Sequence, residues 1–495
     1  MDQIGFDNEK YIELQSKRIR ERVDQFGGKL YLEFGGKLFD DFHASRVLPG
    51  FKPDTKLNLL LQMKDEAEIV IVINAEAIEE EKIREDLGIT YDQDVLRLID
   101  AFSEAGLFVG SVCLTRYSGQ KNTKLFERRL NKQGIKTYHH YAIPNYPFDV
   151  DKIVSDEGLG KNDYIETSRS LVVVTAPGPG SGKMATCISQ LYHENKRGVK
   201  AGYAKFETFP IWNLPLKHPI NLAYEAATAD LNDVNMIDPY HLEAYGVTTV
   251  NYNRDIEIFP VLNRLFEKIY GSSPYKSPTD MGVNMAGYCI SDDEVCCEAS
   301  RQEIIRRYLI AVADRRMDKA SDETVAKIES LMKANGVSLE MRKCVAAALE
   351  KANKTGAPAA AIELNDGTII TGKTSPLLGC ISAMLLNALK HLAGISDRVM
   401  LLPPALIEPV CQLKTRDLGG HNPRLHCDEV LVALSISAVT NPLAALAMEQ
   451  LPKLRNAQSH SSVILSQVDN NVLRKLGINH TSEAVYGTKK LYHAK

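Results

Sequence analysis

The sequence lacks an excess of basic residues and a cysteine pattern typical of disulfide-stapled proteins. Lys and Arg total 59 against 63 Asp and Glu, which gives a formal net charge of -4. Proteins that bind nucleic acid regardless of its sequence usually carry a basic excess, so we expect no nucleic-acid partner. The nine cysteines are an odd number scattered along the chain, as is typical of proteins in a reducing compartment.

The sequence also has little that resembles a targeting or membrane segment. Its N-terminus is charged from the second residue and has no apolar core of a signal peptide. The uncharged run 430–448 contains the turn-forming pair Asn441-Pro442, which favours a strand, a turn and a buried helix over a span of ~20 apolar residues. We therefore expect a cytoplasmic protein with no membrane partner.

Familiar hydrolase and metal motifs are missing as well. The sequence contains neither HExxH nor GxSxG, so it gives no support to a zinc peptidase of that type or to an esterase-type serine enzyme. No metal site of the protein's own is predicted from such motifs, and no catalytic residue is identified by a motif.

The length and the order of patterns predict a multidomain α/β protein. Single hydrophobic cores stop growing near ~300 residues, and this chain has 495. We predict four segments: an N-terminal α/β region over 1–165, an α/β region with a glycine-rich turn over 166–290, a helical segment over 291–354, and a C-terminal α/β domain over 355–495.

The N-terminal segments alternate helix and strand patterns, which indicates parallel crossovers in a parallel or mixed sheet. Predicted helices are 8–25, 92–105 and 124–133, and predicted strands are 29–34, 67–74, 107–114, 136–140 and 171–174.

The C-terminal segment opens with a hairpin pattern around Asn365-Asp366-Gly367, followed by a helix that ends at Gly394. Further strands are expected at 399–402, 429–436 and 462–465.

The sharpest motif is a glycine-rich turn between the strand 171–174 and a helix. Loop amides and the positive end of a helix dipole are a common phosphate site, and here the donors are Gly178, Gly180, Ser181 and Gly182. Lys183 would neutralise phosphate charge.

The turn is P-loop-like rather than a P-loop. The pattern GxxxxGK[ST] requires glycine at Pro177 and a hydroxyl at Met184. Ser181 or Thr186 is the candidate replacement for the missing magnesium ligand. The expected ligand is ATP or another phosphate-bearing small molecule, with Mg²⁺; the alternative is a purely structural turn.

Three residues outside the turn are candidates for acid–base or supporting roles. Lys205 and Glu207 follow the next strand and are expected to face the same cleft, and Asp238 follows a short apolar run.

Three interpretations stay open at this point: an enzyme, a non-catalytic sensor or assembly protein that only binds at the turn, and a structural turn with function elsewhere. For the last of these, the candidate is the polar cluster of residues 34–46, which contains Gly35, Gly36, Lys37, Asp40, Asp41, His43 and Arg46. A homo-oligomer also stays open.

With these residues in view, the chain resembles a conserved bacterial family of about 500 residues with no assigned activity. The resemblance is carried by 31–51, 172–194, 201–219 and 228–239. It implies a multidomain cytosolic protein whose C-terminal domain is similar in topology to the cytidine-deaminase fold.

The resemblance does not bring an activity with it. Leu378, Gly379 and Cys380 stand where active deaminases have H-x-E, so deaminase chemistry is not implied. Some family members carry the label "ATP-dependent peptidase", but no nucleophile–base pair or metal set for that reaction is recognisable in this sequence.

Overall fold

The computed structural model describes residues 4–36, 38–39, 41–84 and 87–488, and these form two compact units. The N-terminal unit comprises Ile4–Tyr224 and Asp233–Cys296. The C-terminal unit comprises Glu225–Asn232 and the described chain from Cys297 onwards. The four-segment division made from the sequence stays a prediction.

The strands, numbered in chain order, are β1 (Leu30–Phe34), β2 (Ala67–Asn74), β3 (Ile83–Arg84), β4 (Ile89–Thr90), β5 (Phe108–Thr115), β6 (Lys136–His139), β7 (Leu171–Thr175), β8 (Gly202–Phe206), β9 (Asn235–Ile237), β10 (Val250–Tyr252), β11 (Gly282–Val283), β12 (Ala359–Glu363), β13 (Ile369–Lys373), β14 (Gln458–Ser461) and β15 (Asn479–Ser482).

The α-helices are α1 (Asn8–Gln25), α2 (Phe42–Val47), α3 (Thr55–Leu61), α4 (Ala75–Glu79), α5 (Tyr91–Glu104), α6 (Lys121–Lys132), α7 (Val150–Ile153), α8 (Lys183–Lys196), α9 (Pro219–Ala227), α10 (Pro239–Tyr245), α11 (Asn253–Tyr270), α12 (Pro278–Met281), α13 (Asp293–Arg316), α14 (Asp322–Ala334), α15 (Lys343–Thr355), α16 (Cys380–Leu392), α17 (Pro404–Gln412), α18 (Cys427–Ala438), α19 (Pro442–Met448) and α20 (Gln467–Lys475).

The N-terminal unit is built on a seven-stranded sheet in the order β11-β8-β1-β7-β2-β5-β6, and all of its pairings are parallel. Strand β7 lies between β1 and β2, with Leu171 opposite Leu30 on one side and Ala67 on the other. A strand with covered faces and two strand neighbours needs a continuous apolar run, which β7 and β2 both have. The predicted α/β architecture with a parallel sheet is confirmed.

Helices cover both faces of this sheet. On one face, α8 and α11 pack on a core that includes Val172, Val174, Cys187 and Phe266. On the opposite face, α1, α3, α5 and α6 supply the covering core. Residues that alternate along a strand therefore point into two different layers.

The C-terminal unit has its own mixed sheet in the order β13-β12-β14-β15. The predicted hairpin is present: β12 and β13 pair antiparallel, and Gly367 in their turn has a φ of +82°. Strand β14 is antiparallel to β12 and parallel to β15. The predicted helix after the hairpin is α16, and Gly394 follows it with a φ of +65°.

The three other strands expected in this unit are wrong. Residues 429–436 lie in α18, residues 399–402 form no strand, and residues 462–465 follow the end of β14 with an isolated bridge at Ile464. A short apolar run fits a buried strand or a helix equally well, and in α18 burial at Val430, Ala433, Leu434 and Ser437 follows the helical repeat.

Residues 430–448 fold as most of α18, a break at Asn441 and helix α19. In the part of the chain that the structure describes, no helix is long and apolar enough to cross a bilayer. All nine cysteines are buried free thiols.

Arg342 is a fully buried cation in the C-terminal unit. Its guanidinium donates to Gln458 Oε1 (2.7 Å), Asn479 O (2.6 Å), Ser459 O (3.2 Å) and Thr481 Oγ1 (3.3 Å). Burial lowers the pKa of Arg342 below its ordinary value. The planar guanidinium therefore links the loop before α15 to both β14 and β15. The single ammonium group of a lysine could not make all of these hydrogen bonds.

We predict that Arg342→Met destabilises the protein by about 3 kcal/mol, because buried acceptors on β14 and β15 lose their donors. Arg342→Lys should recover only part of this loss. The measurement is the urea unfolding midpoint together with hydrogen-exchange protection of β14 and β15. The matched control is Lys343→Met, because the neighbouring Lys343 side chain is 67% exposed; equal effects of the two Met variants would contradict the prediction.

Candidate functional site

The glycine-rich turn lies where β7 ends, at the carboxyl edge of the parallel sheet. Thr175 ends the strand and Lys183 begins α8, which has 14 residues. Pro179 and Gly180 are exposed and Lys183 is half-buried. Gly180 and Gly182 have φ values of +74° and +92°, which side chains with a Cβ rarely adopt.

Side chains from neighbouring elements hold this turn in place. Thr115, the last residue of β5, donates its hydroxyl to Ser181 O at 2.7 Å. The Ser181 hydroxyl donates to Gly178 O at 2.8 Å. A Cβ at Gly178 would overlap the ring of Tyr91, so this position also requires glycine.

The backbone N–H groups of the turn are not used by the fold. The first N–H of α8 with a backbone partner is that of Thr186, which donates to Gly182 O at 2.9 Å. Within the described ranges, the N–H groups of Gly178, Gly180, Ser181, Gly182 and Lys183 have no hydrogen-bond acceptor. A half-exposed row of unpaired N–H groups before a helix is the arrangement that binds oxyanions in other proteins.

The two candidate magnesium ligands differ from this row in their surroundings. The Ser181 hydroxyl donates to the carbonyl of Gly178, and its side chain is buried. Thr186 is fully buried, beside the thiol of Cys113. Because both hydroxyls are buried, neither faces the exposed side of the turn.

A buried charge cluster occupies the same sheet edge, two strands from β7. Lys205, on β8, lies with its Nζ 2.9 Å from Glu207 Oε1 and forms a second ion pair with Asp255 in the first turn of α11. Glu33 on β1 is opposite Lys205 in register and accepts a hydrogen bond from Tyr203 at 2.6 Å. We call Glu33, Lys205, Glu207 and Asp255 the lysine–carboxylate cluster.

Burial and charge set the protonation states in this cluster. Burial raises the pKa of Glu207 to about 7, although Lys205 opposes the rise. Burial alone would lower the pKa of Lys205, but Asp255, Glu207 and Glu33 outweigh it and raise that pKa. Near neutral pH, Lys205 stays an ammonium ion while Glu207 exchanges a proton.

The turn and the cluster lie on the sheet face covered by α8. The thiol of Cys187, one turn into α8, is affected by both: burial raises its pKa strongly, Glu33 raises it further, and Lys183 lowers it. Strand order explains the proximity, because β1 separates β7 from β8 by one strand only.

Aromatic side chains surround the cluster. The Nζ of Lys205 lies 5.4 Å from the ring centre of Tyr252, whose ring is 5.6 Å from that of Tyr224. The single tryptophan, Trp212, packs on Gly282 of β11 so closely that a Cβ there would overlap the indole. These contacts keep bulk water away from the ion pairs.

Asp238 is used differently from Lys205 and Glu207. Its carboxylate caps α10 by accepting from the N–H groups of Tyr240 (3.0 Å) and His241 (3.1 Å), and it accepts the Thr279 hydroxyl at 2.6 Å. These are the contacts of a buried helix cap, and none of them is to the turn or to the lysine–carboxylate cluster.

The cluster proposed at 34–46 is partly described. Asp41 caps α2 and pairs with the buried Lys56 at 2.7 Å. Burial acts to raise the pKa of Asp41, but Lys56 outweighs it and the pKa is lowered. Lys37 and Asp40 lie outside the described residues.

Comparison with known proteins also divides the chain in two, but it places the division near residue 338 and not at Cys296. Residues 4–336 match "Domain of unknown function DUF1846, N-terminal", and residues 340–492 match the C-terminal domain of the same family.

The chain belongs to the DUF1846 family. It is 58% identical over 492 residues to the UPF0371 proteins of Streptococcus pneumoniae (strain CGSP14) and Streptococcus sanguinis (strain SK36), covering 99% of this chain and 100% of each relative. The family resemblance drawn from the sequence is confirmed.

Two members of the cluster, Glu33 and Asp255, were not among the sequence candidates. The sequence does mark Glu33 as unusual, because it is the only charged residue in the strand LYLEF. Nothing in the sequence marks Asp255, since an acidic residue in the first turn of an amphipathic helix is ordinary.

We predict that Glu207→Gln stabilises the protein increasingly as the pH rises. Between the unfolded pKa near ~4.5 and the folded pKa of about 7, the folded wild type binds more protons than the unfolded chain, so its stability falls as the pH rises. Gln lacks this titration. The difference should be near zero at pH 4.5 and level off above pH 7.5 at the order of 3 kcal/mol.

Urea unfolding midpoints from pH 4.5 to pH 8 measure this difference. The exposed Glu13→Gln serves as the control and should follow the wild type. A stability difference for Glu207→Gln that does not vary with pH would contradict the assignment.

Proposed function

We propose that this protein is an enzyme that binds a nucleotide, such as ATP, or another phosphorylated metabolite at residues 176–186. One observation carries the proposal: the N–H groups of a half-exposed turn at the end of a central strand have no acceptor among the described residues. Unpaired N–H groups are costly unless a ligand or water satisfies them.

The roles follow from the geometry of the turn. Gly178, Gly180, Ser181 and Gly182 supply N–H donors, and Lys183 supplies a positive charge beside the N-terminus of α8. The turn is P-loop-like in this sense only. No step of the proposal depends on magnesium, because the hydroxyls of Ser181 and Thr186 do not fit that role.

The lysine–carboxylate cluster supports an enzyme over a passive sensor. A carboxyl group with a pKa near 7 is suited to accept and return a proton at physiological pH, and Glu207 has one beside the permanently charged Lys205. We infer proton transfer by Glu207 during group transfer or ligation to the phosphorylated ligand. The alternative is a sensor that binds the same ligand without turnover.

Two further expectations from the sequence belong to this proposal. We propose a cytoplasmic location, and we propose that the C-terminal sheet is similar in topology to the cytidine-deaminase fold. The support for the second is that the hairpin β12–β13 is followed by α16. Strand β14 then pairs antiparallel with β12, and β15 pairs parallel with β14. Deaminase chemistry is not part of the proposal, since Gly379 and Cys380 stand at the start of α16.

Ligand binding is tested by thermal shift and calorimetry with ATP, GTP, NAD, sugar phosphates and inorganic phosphate. We expect at least one phosphorylated compound to stabilise the wild type. Lys183→Ala should weaken that binding at least 10-fold through loss of the ammonium group. The control is Lys196→Ala, which removes a lysine from the last turn of the same helix.

Failure of every phosphorylated compound to shift the melting temperature at millimolar concentration would overturn the binding proposal. Equal weakening by the two lysine variants would overturn the role of Lys183. If the ligand binds but no turnover is found in a metabolite screen, the enzyme hypothesis is wrong and the protein acts as a sensor. If turnover is found, Glu207→Gln should lower kcat while ligand affinity changes little.

A further inference from the structure

The exposed side chains of α18 and α19 are largely apolar. Val432, Ile436 and Val439 are 61%, 63% and 83% exposed, and Leu443 and Leu446 on the following helix α19 are 40% and 39% exposed. Residues 430–448 contain no Asp, Glu, Lys or Arg. We call these five side chains the aliphatic face.

This composition is unusual for a surface that stays in contact with water. The aliphatic face exposes on the order of 500 Å² of apolar surface, which is as large as the largest patch on a typical monomer. Charged residues normally interrupt such patches and keep proteins apart. Their absence here indicates a surface that another apolar surface covers.

A groove lies beside this face. It has a volume of about 410 Å³ and runs between α17 and α18, where Leu406, Val410 and Ala433 join Val432 and Ile436 in lining it. Asp428 and Glu429 lie at its end near the start of α18. A ridge of β-branched side chains next to an apolar groove can fit a rotated copy of itself.

We propose that a second copy of this chain covers the aliphatic face, through antiparallel packing of the two α18 helices about a two-fold axis near Ser435 and Ile436. In this arrangement Val432 contacts Val439 of the other copy, and each Ile436 lies at the edge of the opposite groove. An uncharged face offers no charged partner a complementary group, whereas a copy of the same face matches it in polarity.

Charge determines the direction of packing. The two Asp428 side chains lie at opposite ends of an antiparallel pair, about 20 Å apart along the helices. That separation exceeds the screening length of about 8 Å at physiological salt. Parallel packing would place both acidic ends together, so it is disfavoured.

The area fits a dimer of moderate strength. Two aliphatic faces remove on the order of 1,000 Å² from water, which is the lower bound for a specific interface. We therefore expect a dimer that dissociates on dilution through the micromolar range.

Sedimentation velocity on the full chain from 1 to 100 µM tests the assembly. The wild type should change from monomer to dimer, and Ile436→Glu should stay monomeric with an unchanged melting temperature, because its side chain is largely exposed. The control is Leu125→Glu on α6, another exposed aliphatic residue (53%), which should leave the dimer intact.

Disulfide trapping tests the axis, since all nine native cysteines are buried. Ser435→Cys should form a covalent dimer under mild oxidation, whereas Val432→Cys and the exposed Ser118→Cys should not, because of these three positions only 435 lies next to the two-fold axis and so close to its own copy. A wild type that stays monomeric at 100 µM overturns the proposal, as does a dimer that survives Ile436→Glu. A monomer that binds phosphatidylcholine vesicles through Ile436 would replace the second copy by a lipid surface.

Discussion

Strand β7 fixes the position of the glycine-rich turn in the N-terminal unit because it enters the sheet between two strands that precede it in the chain. Its backbone pairs with β1 and β2 at once, so the direction in which the chain leaves Thr175 is set from both sides. The turn that follows is then held by Thr115 from β5 and by the start of α8. Neighbouring strands of a parallel sheet end at one edge, and this brings Glu33 and Lys205 to the same place.

The sequence predicts the long helices and strands of the N-terminal unit well, but it does not predict their order in the sheet. The bounds of β2 and α1 are those that the apolar patterns indicate. A continuous β-branched run as long as β2 fits only a strand, and an amphipathic repeat as long as α1 fits only a helix. The run at 429–436 fits either a strand or a helix, and only the packing of Val430 and Leu434 against the C-terminal core selects the helix.

The two parts of the candidate site also differ in how far the sequence reveals them. The glycine turn and the strand before it are contiguous in the chain, so a local pattern reveals both. The lysine–carboxylate cluster joins β1, β8 and α11, which are more than 200 residues apart in the chain at their extremes. No local pattern contains the strand order that brings Glu33 and Asp255 to Lys205. Asp238 shows the converse: an acidic residue after an apolar run is also what a helix cap requires.

Two buried cations of the fold, Arg342 and Lys205, differ in the groups that surround them. Arg342 is surrounded mainly by carbonyl and hydroxyl oxygens, which cannot titrate, so its contacts are constant over a wide pH range. Lys205 is surrounded by carboxylates, one of which has a pKa near 7. Carboxylate partners alone do not set Lys205 apart, since the buried Lys56 also pairs with one, Asp41. What differs is the raised pKa of Glu207.

The prolines of the turn narrow what it can bind. Pro177 and Pro179 have no N–H group, so a ligand meets donors only at Gly178 and from Gly180 onwards. Their fixed φ angles also reduce the freedom of the unfolded turn, which lessens the entropy lost when it is ordered. Together with the bonds from Thr115 and Ser181, this gives a turn whose shape is set before a ligand arrives. Such preorganisation raises affinity for a ligand without adding contacts, and this supports the proposal that the turn binds a phosphate group although it has fewer N–H donors than a regular nucleotide loop.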